Sequence, residues 1–115
     1  MTAVDEAMVV CVGDLTAEPR LDERFARCLA YAVFSAQGEL LRVVENRARD
    51  AAGAASTLAA TQLRELGAAA VVAAKFGPKA AGVLQAAGIR AYRCAEAVSA
   101  REAAQRAVRG ELPFE

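Results

Sequence analysis

"DAAGAASTLAATQLRELGAAAVVAAKFGPKAAGVLQAAGIRAYRC" spans residues 50–94, and its changes of period decide the architecture. Residues 50–66 are rich in helix formers, with Ala55, Ala59, Leu63 and Leu66 on one helical face. Asp50 fits an N-cap, and Gly67 fits a C-terminal stop. "AAAVVAA" (68–74) is a short apolar run and reads as a buried strand. Gly77 and Pro78 suit the start of a second helix over 77–88, which Gly88 ends. "IRAYRC" (89–94) is then a further strand. Strands joined through a helix prefer a right-handed parallel crossover.

Working outward, "AMVVCVG" (7–13) is an apolar run closed by glycine and reads as a buried strand. Residues 14–30 are polar and irregular around Pro19, which predicts a long loop. "YAVFSA" (31–36) and "LLRVVEN" (40–46) are β-rich runs, and Gly38 between them signals a hairpin. Ser99 and Glu102 have the spacing of a capping box for a last helix ending near Gly110. The tail "ELPFE" is expected to fray or pack loosely. The expected fold is α/β. It is a single domain with a mixed five-stranded sheet, its first three strands antiparallel, then α-β-α-β-α with helices packed on the sheet.

The chain has 115 residues, which suits one domain, and 56% of them are hydrophobic. Much of that fraction is alanine, so helices should approach closely. Fourteen basic residues balance fourteen acidic ones, which argues against a general nucleic-acid or membrane-surface binder. No apolar run has the length of a membrane span. The start "MTAVDEAMVV" has early acids and no basic segment, unlike a secretory signal. Cys11, Cys28 and Cys94 are few, odd in number and far apart, so no disulfide framework is expected and the cytoplasm is the default location.

If the first strand points up, the hairpin turns the second down and the third up, and helical crossovers keep the fourth and fifth up. Four connections then leave from one edge: 14–30, 46–53, 75–79 and 93–99. Open α/β sheets hold ligands at such carboxyl ends, where helix N-termini favour anions. Arg20, Arg24, Arg27, Arg47, Arg49, Lys75, Lys79 and Arg93 lie in the same connections. A neutral chain thus acquires a locally positive mouth. Cys28 and Cys94 fall at or near it. Thiolates suit iron, copper and molybdenum–sulfide chemistry, and Arg24 and Arg27 stand close to Cys28 in the sequence. Equally, a cysteine can be a small buried hydrophobe. Arg24 and Arg27 either clamp an anion or pair with Asp22 and Glu23 at the surface. "KFGPK" (75–79) either surrounds an anion with Lys75, Lys79 and free N–H groups or simply turns the chain from strand to helix. Asp14 and Glu45 make no clear acidic metal set. The chain has no histidine and no nucleophile–base pair, which argues against hydrolysis.

"DERFARC" (22–28), continued by the stretch from "VVENRARD" (43–50) to "AYRC" (91–94), resembles the nitrogenase iron–molybdenum cofactor biosynthesis domain family. The shared features are the arginine–phenylalanine segment, an Asn after the third strand, a glycine at the start of the first helix, Gly-Pro with a following Lys, and the "AAGI" turn. The resemblance covers about residues 7–112 of one domain spanning 1–115. It implies a ribonuclease-H-like fold. Family members include carriers and insertion chaperones for the nitrogenase cofactor or its precursors, small proteins of unknown role, and a type that binds a molybdenum–copper sulfide cluster. By position, the resemblance implies binding residues Arg24, Phe25, Arg27 and Cys28, then Gly53, then Phe76, Gly77 and Pro78. Charge adds Lys75 and Lys79, and Cys28 and Cys94 are the candidate metal ligands. The sequence departs from the pattern in three places: Arg24 stands where many carriers have histidine, Ala26 replaces a glycine, and "AAGAA" (51–55) keeps only Gly53.

The expected function is therefore a non-enzymatic carrier or accessory protein for an iron–molybdenum–sulfur or other metal–sulfide cluster. It would meet a cluster donor or acceptor protein, as a monomer or homodimer, with no nucleic acid or membrane involved. A family member that has lost cluster binding and acts as an interaction or regulatory module is the alternative. An enzyme acting on a phosphate-containing small molecule is a third.

Overall fold

The computed structural model describes residues 7–16, 18–21, 24–51, 53–96 and 98–114. Five strands and three helices occur in the order β1 (Ala7–Val12), β2 (Ala30–Phe34), β3 (Leu40–Glu45), α1 (Ala55–Glu65), β4 (Ala68–Ala73), α2 (Ala80–Ala86), β5 (Arg90–Arg93) and α3 (Ala100–Val108). The sheet order is β3-β2-β1-β4-β5. β1 pairs antiparallel with β2 and parallel with β4; β2–β3 is antiparallel and β4–β5 parallel. Four strands therefore point the same way, as the sequence predicts, and β1 is the strand from which the two halves diverge.

Side-chain alternation sorts the core into two layers. Val9, Cys11, Tyr31, Val33 and Val71 pack with Ala59 and Leu63 of α1 and with Leu84 of α2. Val10, Val12, Ala32, Phe34 and Val72 pack under α3. The buried stripe of α3 is Ala100, Ala103, Ala104 and Ala107, the helical spacing with only methyl groups on it. Such a stripe lets the helix backbone lie close to the sheet.

The ends of the elements follow local chemistry. Ser99 caps α3, its hydroxyl accepting from the Glu102 N–H at 3.1 Å. Gly67 and Gly88 follow α1 and α2 at φ +75° and +76°, a left-handed turn that suits glycine. The hairpin spans Ser35–Glu39, where the Ser35 hydroxyl accepts from the Gln37 and Glu39 amides.

Three expectations shift. Helix α1 begins at Ala55, five residues after Asp50, because Ala54 sits at φ +56° and breaks the helical path. Helix α2 begins at Ala80, so Gly77 and Pro78 belong to the turn before it. The tail is paired: the Arg93 N–H donates to the Pro113 carbonyl at 3.0 Å, and the Phe114 ring stacks on Tyr92 at 4.9 Å. It closes the edge of the sheet at β5, although Phe114 itself stays largely exposed.

Candidate functional site

The loops after β1, β3 and β4 meet at the carboxyl edge of the sheet, and buried polar side chains tie them together. Asn46 follows β3 and is buried. Its Nδ2 donates to the Ala26 and Cys28 carbonyls, both at 2.9 Å, and its Oδ1 accepts from the Ala48 N–H at 2.9 Å. One carboxamide thus joins the first loop to the second. Gln62 of α1 does the same for the end of β3, donating to the Glu45 carbonyl at 2.7 Å and accepting from the Arg47 N–H at 3.0 Å. Arg27 returns the connection, its Nη1 donating to the carbonyls of Arg49 and Ala51, each at 2.9 Å. The third wall is joined through the Phe25 N–H, which donates to the Lys75 carbonyl at 2.9 Å, and through the Phe25 and Phe76 rings, 5.4 Å apart.

Between these walls lies an open hollow of about 590 Å³. Phe25, Ala26 and Arg27 line one side, Ala54–Thr57 of the α1 start line another, and Gly77, Pro78 and Lys79 with Val83 line the third. Among the described residues, two cations, two hydroxyls and an aromatic ring face it, and no carboxylate, thiol or imidazole does. A smaller hollow of about 360 Å³ at the opposite edge is lined mostly by alanine and, among the described residues, carries one charge, Arg90.

The structure brings together five of the ten anion-binding candidates, Phe25, Arg27, Gly77, Pro78 and Lys79, in one lining. Phe76 packs behind Phe25. Arg24 and Lys75 are exposed and form a β-bridge beside the two rings. Gly53 is exposed, two residues before α1.

The two cysteine candidates lie elsewhere. Cys28 is fully buried in the layer under α1 and α2, and its Sγ donates to the Ala30 carbonyl at 3.3 Å. Cys94 is buried in the other layer, under α3. The sheet separates them, so they form no common ligand pair, and neither lines the hollow. Among the described residues, no group of three or more His, Cys, Asp or Glu side chains converges to hold a metal ion. Beside Cys28 lie Cys11 and Tyr31. The Tyr31 hydroxyl has no well-placed hydrogen-bond partner among the described residues, and burial, then the two thiols, holds its proton on well above the ordinary phenol range.

Sequence reading did not single out Ser56, Thr57, Ala26 and Ala54 as lining residues, or Gln62 as a tie. Placing the helix start at Asp50 put Ser56 and Thr57 mid-helix, where a polar pair reads as surface. Ala26 and Ala54 share one further property: at φ +72° and +56° they are the two non-glycine residues at positive φ among those described. The backbone holds there a conformation that costs alanine about 1 kcal/mol or more.

Such a fold places the chain among single-domain, ribonuclease-H-like α/β proteins with a hollow at the carboxyl edge of a mixed sheet. Residues 6–110 match the dinitrogenase iron-molybdenum cofactor family, and the chain belongs to it. The structure is similar to the apo form of the orange protein from Desulfovibrio gigas, with 28% identity and a TM-score of 0.88 over 99% of this chain and 96% of that one. It is also similar to a NifB-like protein from Thermotoga, with 25% identity and a TM-score of 0.78 over 95% and 92% of the two chains. No curated protein sequence matches at a significant level. No helix among the described residues is long and apolar enough to cross a membrane.

Proposed function

We propose that this protein is a non-enzymatic carrier or accessory protein that holds an anionic metal–sulfur cluster, the iron–molybdenum cofactor or a precursor, in the hollow between Arg27, the α1 start and Lys79. The observation that carries this reading is the lining itself. Arg27 and Lys79 supply positive charge, Ser56 and Thr57 supply hydroxyl donors, and Phe25 supplies an aromatic face. With no thiol or imidazole in the lining, the cargo would arrive with its metal coordination already complete. It would be gripped through its outer sulfides by charge and hydrogen bonds. Family membership supports the cofactor class, and such a protein would pass its cargo between a cluster donor and an acceptor.

Ala26 and Ala54 favour one competing reading, a family member that keeps the fold and has lost the cargo. Their methyl groups stand where a close approach of backbone to ligand would suit glycine. Anaerobic titration with tetrathiomolybdate separates the two. The carrier reading expects one anion per chain, binding that weakens with salt, about tenfold weaker binding in Lys79→Gln, and no change in Cys28→Ala. Absence of saturable binding, with the protein folded, would leave the interaction-module reading.

A further inference from the structure

Arg27 belongs to two arrangements at once. Its Nη1 holds the Arg49 and Ala51 carbonyls, and its side chain lines the hollow. A guanidinium carries five N–H groups in a rigid plane, so a corner committed to two carbonyls leaves the Nε–Nη2 edge able to take a second partner. That edge is the natural match for two terminal atoms of an anion.

We propose that Arg27 couples loading of the hollow to the surface segment Arg47–Ala51. The inference rests on the reading that the hollow takes an anionic cargo. With the hollow empty, opening of Arg47–Ala51 breaks the two Nη1 bonds and releases a half-buried side chain to move. With an anion on the opposite edge, the guanidinium is fixed from both sides. The segment loses that route to opening, and the loaded protein presents a steadier Arg47–Ala51 surface. Arg47, Arg49 and Asp50 are exposed there. A protein that takes the cargo would therefore meet a loading signal beside the hollow, without contact to the cargo itself.

The segment has internal reporters. The Arg49 N–H donates to the Asn46 carbonyl at 3.4 Å, and the Ala51 N–H to the Ala48 carbonyl at 3.1 Å, so both amides exchange with solvent only when the segment opens. The test is hydrogen exchange at these two amides, with and without saturating tetrathiomolybdate, in the wild type and in Arg27→Lys. Lysine keeps the charge but is a point donor that cannot hold two carbonyls and a flat anion edge together. Loading should slow both wild-type amides about tenfold, the scale of one charge-assisted bond. In Arg27→Lys the anion should bind more weakly, and at an anion concentration that saturates the variant the slowing should disappear. Binding to the wild type without slowing, or equal slowing in Arg27→Lys, overturns the coupling and leaves the carrier reading intact. Failure of the folded wild type to bind the anion overturns both.

Discussion

Replacing Asn46 by alanine tests how the site is held together. The substitution removes two donors and one acceptor from a buried position, each engaged at 2.9 Å. It leaves the Ala26 and Cys28 carbonyls and the Ala48 N–H without that partner. An orphaned buried polar group costs about 1–3 kcal/mol. The two carbonyls have a second lone pair each, and water can enter the vacated space, so the lower end applies to each. The sum is about 3 kcal/mol, or a fall in Tm of about 12–20 °C for a domain of this size. Asn46→Asp refines the test. Its carboxylate still accepts from Ala48 but faces two carbonyl oxygens, so its pKa in the folded state must rise above the unfolded value of about 3.9. Between those two pKa values the folded state binds the extra proton and the unfolded state does not, so stability falls as pH rises through the window. Urea denaturation of both variants from pH 4 to 8 gives the answer. A loss below about 1 kcal/mol in Asn46→Ala, together with a pH-independent deficit in Asn46→Asp, would refute the view that this carboxamide ties the loops.

Ala54→Gly should stabilise the protein by about 0.5 kcal/mol, since relief of the left-handed alanine exceeds the added chain entropy; a drop in Tm would contradict it. Ser99→Ala should cost about 1 kcal/mol through the lost cap of α3, and Ser99→Asp should recover most of it in the same denaturation assay. Asp14 is held below its ordinary value of 3.8, first by the Thr16 hydroxyl and then by the Thr16 N–H. Its stabilising effect is complete above that value and is lost as pH falls through the lower folded pKa, so Asp14→Asn should flatten the acid limb of the stability curve. An unchanged limb would show that the turn is indifferent to this charge.

The sheet was legible because its strands and helices differ in period. "AMVVCVG" and "AAAVVAA" are too short for helices and too apolar for loops, and each became an inner strand. Ser99 and Glu102 predicted a cap that the structure contains. Helix starts were less legible. Nothing in "DAAGAAS" distinguishes Asp50 from Ala54 as the first boundary, because the break is a backbone dihedral that alanine seldom adopts. By sequence alone the tail is loose, because its pairing with β5 depends on the tertiary position of Tyr92. The site was legible as an edge and a set of charges. Its lining was not, since whether Cys28 faces the hollow or the core depends on the turn at Ala26 and on the Asn46 bonds that fix it.

The most direct measurement is metal and acid-labile sulfide analysis, with a visible spectrum, on protein purified without oxygen from cells supplied with iron and molybdenum, wild type beside Cys28→Ser. The account predicts stoichiometric metal and sulfide in both, because the cargo is gripped by Arg27, Lys79 and the α1 start and not by a thiolate. Metal present in the wild type and absent from a folded Cys28→Ser protein would contradict it and make Cys28 the ligand.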